Sequence, residues 1–290
     1  MTDDSNVIQL SAHSKAAPQA ELVQIHPEFR PLPPEHDETA LVDLYDSLDP
    51  GPYGVRVQAN FVQTVDGAVV GGDGRSGSIS SPADKRVFSV LRSLADAVVV
   101  GAGTARAEGY TRLSPKPRHL AQRRLRQQDD VPALVLVTRS GRIDIERLEV
   151  AGNSPVIVHT TTRAEAELTR LRSFCGTENV VVHEDHEEHD GVPPLAVLED
   201  LAGRGFVRIL TEGGPALMHA WVCAGAVDEL CLTVSPLLVG TPRAAEEDID
   251  GTGPAPSRLL GDLPLPEVVR VRLMSSLTDG ATIIQRYSLR

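Results

Sequence analysis

Phe206-Val207-Arg208-Ile209-Leu210-Thr211-Glu212-Gly213-Gly214-Pro215-Ala216-Leu217-Met218-His219-Ala220-Trp221-Val222 is the stretch that decides the fold. Residues 206–210 are an apolar run that reads as a buried strand, and 216–222 read as a helix. The glycine pair between them puts bare backbone N–H groups and a positive helix N-terminus at the carboxyl edge of a sheet, an arrangement that suits a phosphate. Glu212 stands at the strand tip, where a carboxylate reaches a bound ligand. A tight turn needing positive φ would use the same residues. A second joint tips the balance. The strand expected over 96–100 runs into Gly101-Ala102-Gly103-Thr104-Ala105-Arg106. It opens like a dinucleotide fingerprint, but Arg106 occupies the place of the third glycine, which argues against an ordinary Rossmann site. Two phosphate-friendly turns on one sheet point to an extended ligand such as a dinucleotide.

Working outward, strands are expected over 53–62, 133–138, 155–160, 179–183 and 227–235, with helices over 39–48, 163–174 and 194–202. Ser80-Ser81-Pro82 opens another helix, with a serine cap, proline in the first turn and Asp84 near the positive end. Val87, Leu91 and Leu94 are its buried stripe. Thr278-Asp279-Gly280 signals a hairpin between strands at 268–275 and 281–287. The order reads as α/β, with a mostly parallel central sheet, helices on both faces and an antiparallel C-terminal edge. Residues 1–30 are polar and unpatterned and read as a flexible tail, and 31–290 as a single domain whose prolines 31, 33 and 34 form an extended lead-in.

The net charge is −12, from 28 basic and 40 acidic residues, which argues against a nucleic-acid groove or an anionic membrane surface. A local arginine cluster still admits a small anion. Cys175, Cys223 and Cys231 form neither a CxxC pair nor an even framework, so reduced thiols are expected. With no membrane-length apolar run and no signal-peptide stretch, the expectation is a soluble cytoplasmic protein.

Several further residues carry potential chemistry. Asp66-Gly67 is a turn leading into Gly71-Gly72-Asp73-Gly74-Arg75-Ser76-Gly77, read either as turn chemistry or as a loop over a site with Ser76 donating to a ligand. Arg92 follows Leu91 on the capped helix and is a solvated arginine unless its edge borders a pocket. Thr138-Arg139-Ser140 closes a strand with two hydroxyls and a guanidinium; it is either a solvated turn or a grip for the 2′-phosphate of NADP. His183, His186 and His189 lie in an acidic run without HExxH spacing, so an exposed loop is expected and no metal.

The ordered set Val65-Asp66-Gly67, Leu91-Arg92-Ser93-Leu94-Ala95-Asp96-Ala97, Gly101-Ala102-Gly103-Thr104, Glu212-Gly213-Gly214, Val227-Asp228-Glu229-Leu230 and Pro236-Leu237-Leu238-Val239-Gly240 resembles the reductase domain of the riboflavin-biosynthesis deaminase-reductases, over roughly residues 50–290. That resemblance implies a dihydrofolate reductase-like fold and an NADPH-dependent reductase of a ribosylaminopyrimidine phosphate, working as a homodimer. Hydride would pass to C1′ of the ribose and open it to a ribityl chain. Gly101, Gly103, Thr104 and the run Gly213, Gly214, Pro215, Ala216, Leu217 would hold the cofactor, with Thr138, Arg139 and Ser140 near its 2′-phosphate. Asn60, Ser76, Arg92, Arg112 and Glu212 match substrate-contacting positions, and Asp66, Glu108 and Glu212 are the candidate proton donors. The family's lysine before the Asp-Gly turn is Asn60 here, its aspartate after the Gly-Thr pair is Glu108, and its tryptophan after the serine is Ser78. Its Leu-Thr-x-Arg becomes Tyr110-Thr111-Arg112-Leu113. No deaminase domain is recognised, so a stand-alone reductase is expected. The alternatives are an NADPH reductase of another heterocycle, such as a pterin or folate analogue, and a nucleotide-binding paralogue without turnover.

Overall fold

The computed structural model describes residues 20–46, 51–185, 191–240, 258–261 and 263–290. Its strands are β1 (Leu22–His26), β2 (Arg30–Leu32), β3 (Arg56–Thr64), β4 (Ala97–Gly101), β5 (Ala133–Val137), β6 (Val156–Thr161), β7 (Val180–His183), β8 (Arg208–Thr211), β9 (Glu229–Ser235), β10 (Arg272–Thr278) and β11 (Ile283–Ser288). They form one sheet in the order β2-β1-β10-β11-β9-β3-β8-β4-β5-β6-β7. From β9 to β7 every pairing is parallel, and from β9 through β11 to β2 every pairing is antiparallel. This is the α/β class the alternation implies.

The helices are α1 (Thr39–Tyr45), α2 (Pro82–Leu94), α3 (Ala102–Glu108), α4 (Leu120–Leu125), α5 (Ile145–Glu149), α6 (Leu168–Cys175), α7 (Pro194–Gly203) and α8 (Pro215–Cys223). They cover both faces, because the buried strands alternate their side chains with period two. Val98 and Val100 pack with Leu41, Tyr45, Val87, Leu91 and Leu94 on one face. Ala97 and Val99 pack with Val197, Leu201, Met218 and Trp221 on the other. No helix among the described residues is long and apolar enough to cross a membrane.

Three expectations need correction. The flexible tail does not extend to residue 30: β1 pairs with β10, and Leu22 and Leu32 are buried. Leu22 and Gln24 face inward and Ile25 outward, so the buried face of this strand does not follow hydrophobicity and leaves no alternation in the sequence. The last two strands begin later than expected, at Arg272 and Ile283, and leave Val268 and Val271 exposed. The helix expected over 163–174 opens as a 3-10 segment, Thr162–Glu167, before α6. The end of the helix expected over 39–48 lies outside the described residues.

Arg86 explains why the lead-in is ordered. Its guanidinium, on α2, donates to both oxygens of Glu38 at 2.7–3.1 Å and to the carbonyls of Ala20, Leu32 and Pro33. Arg86 and Glu38 are both almost fully buried. Removing one partner of such a pair strands the other charge, at a cost of about 3–5 kcal/mol.

The β8–α8 joint is closed by close packing. Gly213 has φ +77°, and a Cβ there would lie 2.2 Å from the Phe61 ring. At Gly214 a Cβ would lie 2.2 Å from the Thr104 hydroxyl. Gly101 N–H donates to the Gly213 carbonyl at 2.8 Å, locking the two glycine joints together.

Two stability outcomes follow, each read by denaturant unfolding. Glu38→Ala lowers stability by about 3–5 kcal/mol; a loss under about 1 kcal/mol contradicts the clamp. Gly213→Ala lowers it by about 1–3 kcal/mol, from overpacking added to an unfavourable φ. Gly103→Ala, with nothing within 4 Å of the added carbon, is the near-neutral control.

Candidate active site

Because β8 lies between β3 and β4, the tips of β3, β8, β4 and β5 share one carboxyl edge. A cleft of about 650 Å³ opens along it, within the usual range for small-molecule sites. The first intrahelical bond of α8 runs from Met218 N–H to the Gly214 carbonyl. Pro215 has no N–H, so the amides of Ala216 and Leu217 have no partner within the helix and face the positive end of its dipole. Gly214 to Leu217, Gly101, Gly103, Thr104 and Thr138 to Ser140 line this cleft together, as do Asn60, Ser76, Glu108 and Glu212. Gly213 turns its Cα toward Phe61 and serves the joint instead.

Glu212 is the centre of the charge arrangement. Arg92 reaches it from α2, Nε to Oε1 at 2.6 Å and Nη2 to Oε2 at 2.6 Å. The Tyr110 hydroxyl, just beyond α3, donates to Oε2 at 2.5 Å. Phe88 lies 4.3 Å beneath the guanidinium carbon and Tyr110 5.7 Å from it. Burial disfavours the Arg92 charge, and the Glu212 carboxylate overcomes that penalty, so the arginine pKa is raised. Burial and the same carboxylate push the Tyr110 phenol well above its ordinary value. Arg92 itself faces a second cavity of about 480 Å³, lined also by Lys85, Ser89, Tyr110, Lys116 and His119. Lys85, Phe88, Glu108 and Tyr110 line both spaces, so the two meet beside Glu212.

Other anticipated residues are placed differently. Asp66 is exposed, does not line either cavity, and accepts from Thr64 Oγ1 and from the amides of Val239 and Gly240. These bonds hold its pKa low, the Thr64 hydroxyl most of all, and anchor the turn to the Val239–Gly240 segment. The Arg112 guanidinium stacks on Phe174 at 4.8 Å, and the residue lines the second cavity. Glu108 accepts the Ser76 amide at 2.7 Å, tying the glycine-rich loop to α3. Ser78 is exposed, its hydroxyl donating within the loop to Asp73 and to the Arg75 carbonyl. Arg139 lies in the cleft wall but pairs with Asp185, Nε to Oδ1 at 2.9 Å. His183 stacks on His159, with Nε2 3.0 Å from His159 Nδ1, and burial lowers its pKa to about 4. His186 and His189 lie outside the described residues.

Two site residues escaped the sequence. Tyr110 was visible only as an aromatic inside a stretch that departs from the family pattern. Asp84 was read as a helix N-terminal acid, yet it is 5% exposed and lines the main cleft. Its side chain points back across the sheet to Thr233 of β9, a long-range contact with no local signal.

Residues 55–284 match the model of the RibD C-terminal domain. A 2,5-diamino-6-ribosylamino-4(3H)-pyrimidinone 5′-phosphate reductase from Methanothermobacter thermautotrophicus is 27% identical over 237 residues, covering 80% of this chain and 96% of that protein. The riboflavin biosynthesis protein RibD of Mycobacterium tuberculosis is 28% identical over 190 residues, 65% of this chain but 44% of that longer protein. Among solved structures, a pyrimidine reductase-like protein from Corynebacterium diphtheriae superposes with a TM-score of 0.68 at 23% identity, covering 86% of this chain and 97% of that one. RibD from Acinetobacter baumannii superposes with a TM-score of 0.56 at 20% identity, covering 82% and 58%. The fold, the paired glycine joints and the family match together establish that this chain belongs to the RibD C-terminal domain family.

Proposed function

We propose that the chain is an NADPH-dependent reductase of a ribosylaminopyrimidine 5′-phosphate in riboflavin biosynthesis, 5-amino-6-(5-phosphoribosylamino)uracil being the expected substrate. One observation carries this reading: a cleft fitted to a nucleotide at the α8 N-terminus meets, beside Glu212, a second cavity edged by Lys85, Arg92 and Lys116. A cofactor in the first and a sugar phosphate in the second would bring their reacting carbons together at that meeting point. The Methanothermobacter thermautotrophicus relative, named as a reductase of a closely similar phosphate, supports the same substrate class.

Thr104, Gly214, Ala216 and Leu217 would hold the cofactor's phosphates, the helix amides meeting the anion. Thr138, Arg139 and Ser140 would meet its 2′-phosphate. When bound, the dihydronicotinamide supplies a hydride. The protein's own work is positioning. Arg92 and Tyr110 fix Glu212 so that its carboxylate can orient sugar hydroxyls. The remaining N–H groups of Arg92, with Lys85 and Lys116, face the substrate's anion. A homodimer belongs to the same reading, supported by exposed Val268 and Val271 ahead of β10 and exposed Ile283 at the start of β11.

Purified protein given NADPH is expected to reduce the deaminated ribosylaminouracil phosphate or its 2,5-diamino counterpart, read as loss of NADPH absorbance. Reduction of a dihydropterin with neither sugar phosphate consumed would favour the other-heterocycle reading. Arg92→Ala lowers kcat/KM for the sugar phosphate by an amount equivalent to about 2–4 kcal/mol and leaves NADPH affinity unchanged; an unaltered kcat/KM removes the anchor. NADPH is expected to bind more tightly than NADH, and equal dissociation constants would rule out the 2′-phosphate grip.

A further inference from the structure

Three carboxyl groups line the main cleft among the described residues: Asp84, Glu108 and Glu212. Both oxygens of Glu212 accept from Arg92, and one also from Tyr110. Glu108 accepts the Ser76 amide, a donor that cannot accept in return. Asp84 differs. Its oxygens lie 2.5 Å from the Ser80 hydroxyl and 2.6 Å from the Thr233 hydroxyl. Its salt-bridge geometry is satisfied by no cation among the described residues. A hydroxyl accepts as readily as it donates, so Asp84 keeps both hydrogen bonds when it carries a proton, one oxygen donating to its hydroxyl and the other still accepting. Burial raises its pKa, against the lowering influence of the two hydroxyls.

Its position in the cleft is equally specific. Thr233 pairs with Val62 across β3–β9, and Cys231, two residues earlier, pairs with Asn60. Asp84 therefore sits in the main cleft beside the β3 segment that carries Asn60, and one residue before Lys85, which lines both spaces where they meet.

We propose that Asp84 is the general acid of the reduction, giving its proton to the sugar ring oxygen as the ring opens. This assignment rests on the reductase reading. The C1′–O4′ bond breaks and its electron pair goes to O4′, which takes the Asp84 proton. The nitrogen lone pair forms the C1′=N bond. C1′ then takes the hydride, and that electron pair returns to nitrogen. One proton and one hydride are added in all, Asp84 is left as carboxylate, and solvent restores its proton after product leaves.

The test combines Asp84→Asn, which keeps size and hydrogen bonding, with Thr233→Val. Asp84→Asn lowers kcat roughly 100-fold or more and leaves the NADPH dissociation constant unchanged. In the wild type, kcat falls as pH rises through the Asp84 pKa, and this limb disappears in Asp84→Asn. In Thr233→Val the limb moves to higher pH, because the lost hydroxyl had favoured the carboxylate. The other titratable groups coupled to Asp84 are Lys85 on its own helix and Tyr45 on α1, and neither substitution removes them. In ligand-free protein, the carboxyl carbon resonance missing from Asp84→Asn titrates above the ordinary aspartate range. An Asp84 that titrates at or below that range, or an Asp84→Asn enzyme within about threefold of wild-type kcat, overturns the assignment. Wild-type protein that binds NADPH and reduces neither sugar phosphate overturns the reductase reading, and the assignment with it.

Discussion

A carboxylate buried at the tip of a strand must be matched by donors, and Glu212 is the group around which the site is organised. Left unpaired in this environment its charge would cost several kcal/mol. Its donors come from two other elements, Arg92 on α2 and Tyr110 beyond α3. One residue thus fixes the distance between the helix on one flank of β8 and the loop that follows β4. The aromatic groups around Arg92 shield the pair from water, which strengthens it. A triad of two charged groups and a phenol therefore stands where the two cavities meet.

The glycine joints serve that triad. Gly213 must be bare because Phe61 occupies the space of its Cβ, and Gly214 because Thr104 does. Their compactness lets β8 lie between β3 and β4 and still turn into α8 without displacing Glu212 from the cleft. At the other end of α2, the Arg86–Glu38 clamp holds the N-terminal strands and α1 against the helix that carries Arg92 and Asp84. The orientation of the site thus depends on contacts made far from it.

Much of this was legible in the sequence. The strand–glycine–helix pattern at 206–222 and its partner at 96–106 marked both joints, and the serine-proline cap marked the start of α2. Ser81 does accept from the Asp84 amide as that cap requires. What the sequence could not convey was the destination of side chains across the sheet. Asp66 was a candidate proton donor by the family resemblance, whereas its oxygens accept from Thr64 and from amides 173 and 174 residues away. Arg112, expected as a substrate contact by pattern, lines the second cavity with its guanidinium stacked on Phe174, a partner with no local signal. Asp84 and Tyr110 went unassigned for the same reason. Their meaning lies in Thr233 and Glu212, residues more than one hundred positions distant. Cofactor-side residues are backbone and turn chemistry, which short motifs encode; substrate-side residues depend on tertiary pairing, which they do not.

The central claim is that the cleft and the second cavity bring a dihydronicotinamide to a sugar carbon. The most direct measurement is a single-turnover reduction with NADPH deuterated at C4 of the nicotinamide, followed by NMR of the product. The account predicts deuterium on C1′ of a ribityl chain. Deuterium on a carbon of the heterocycle, or none transferred to the product, would contradict it.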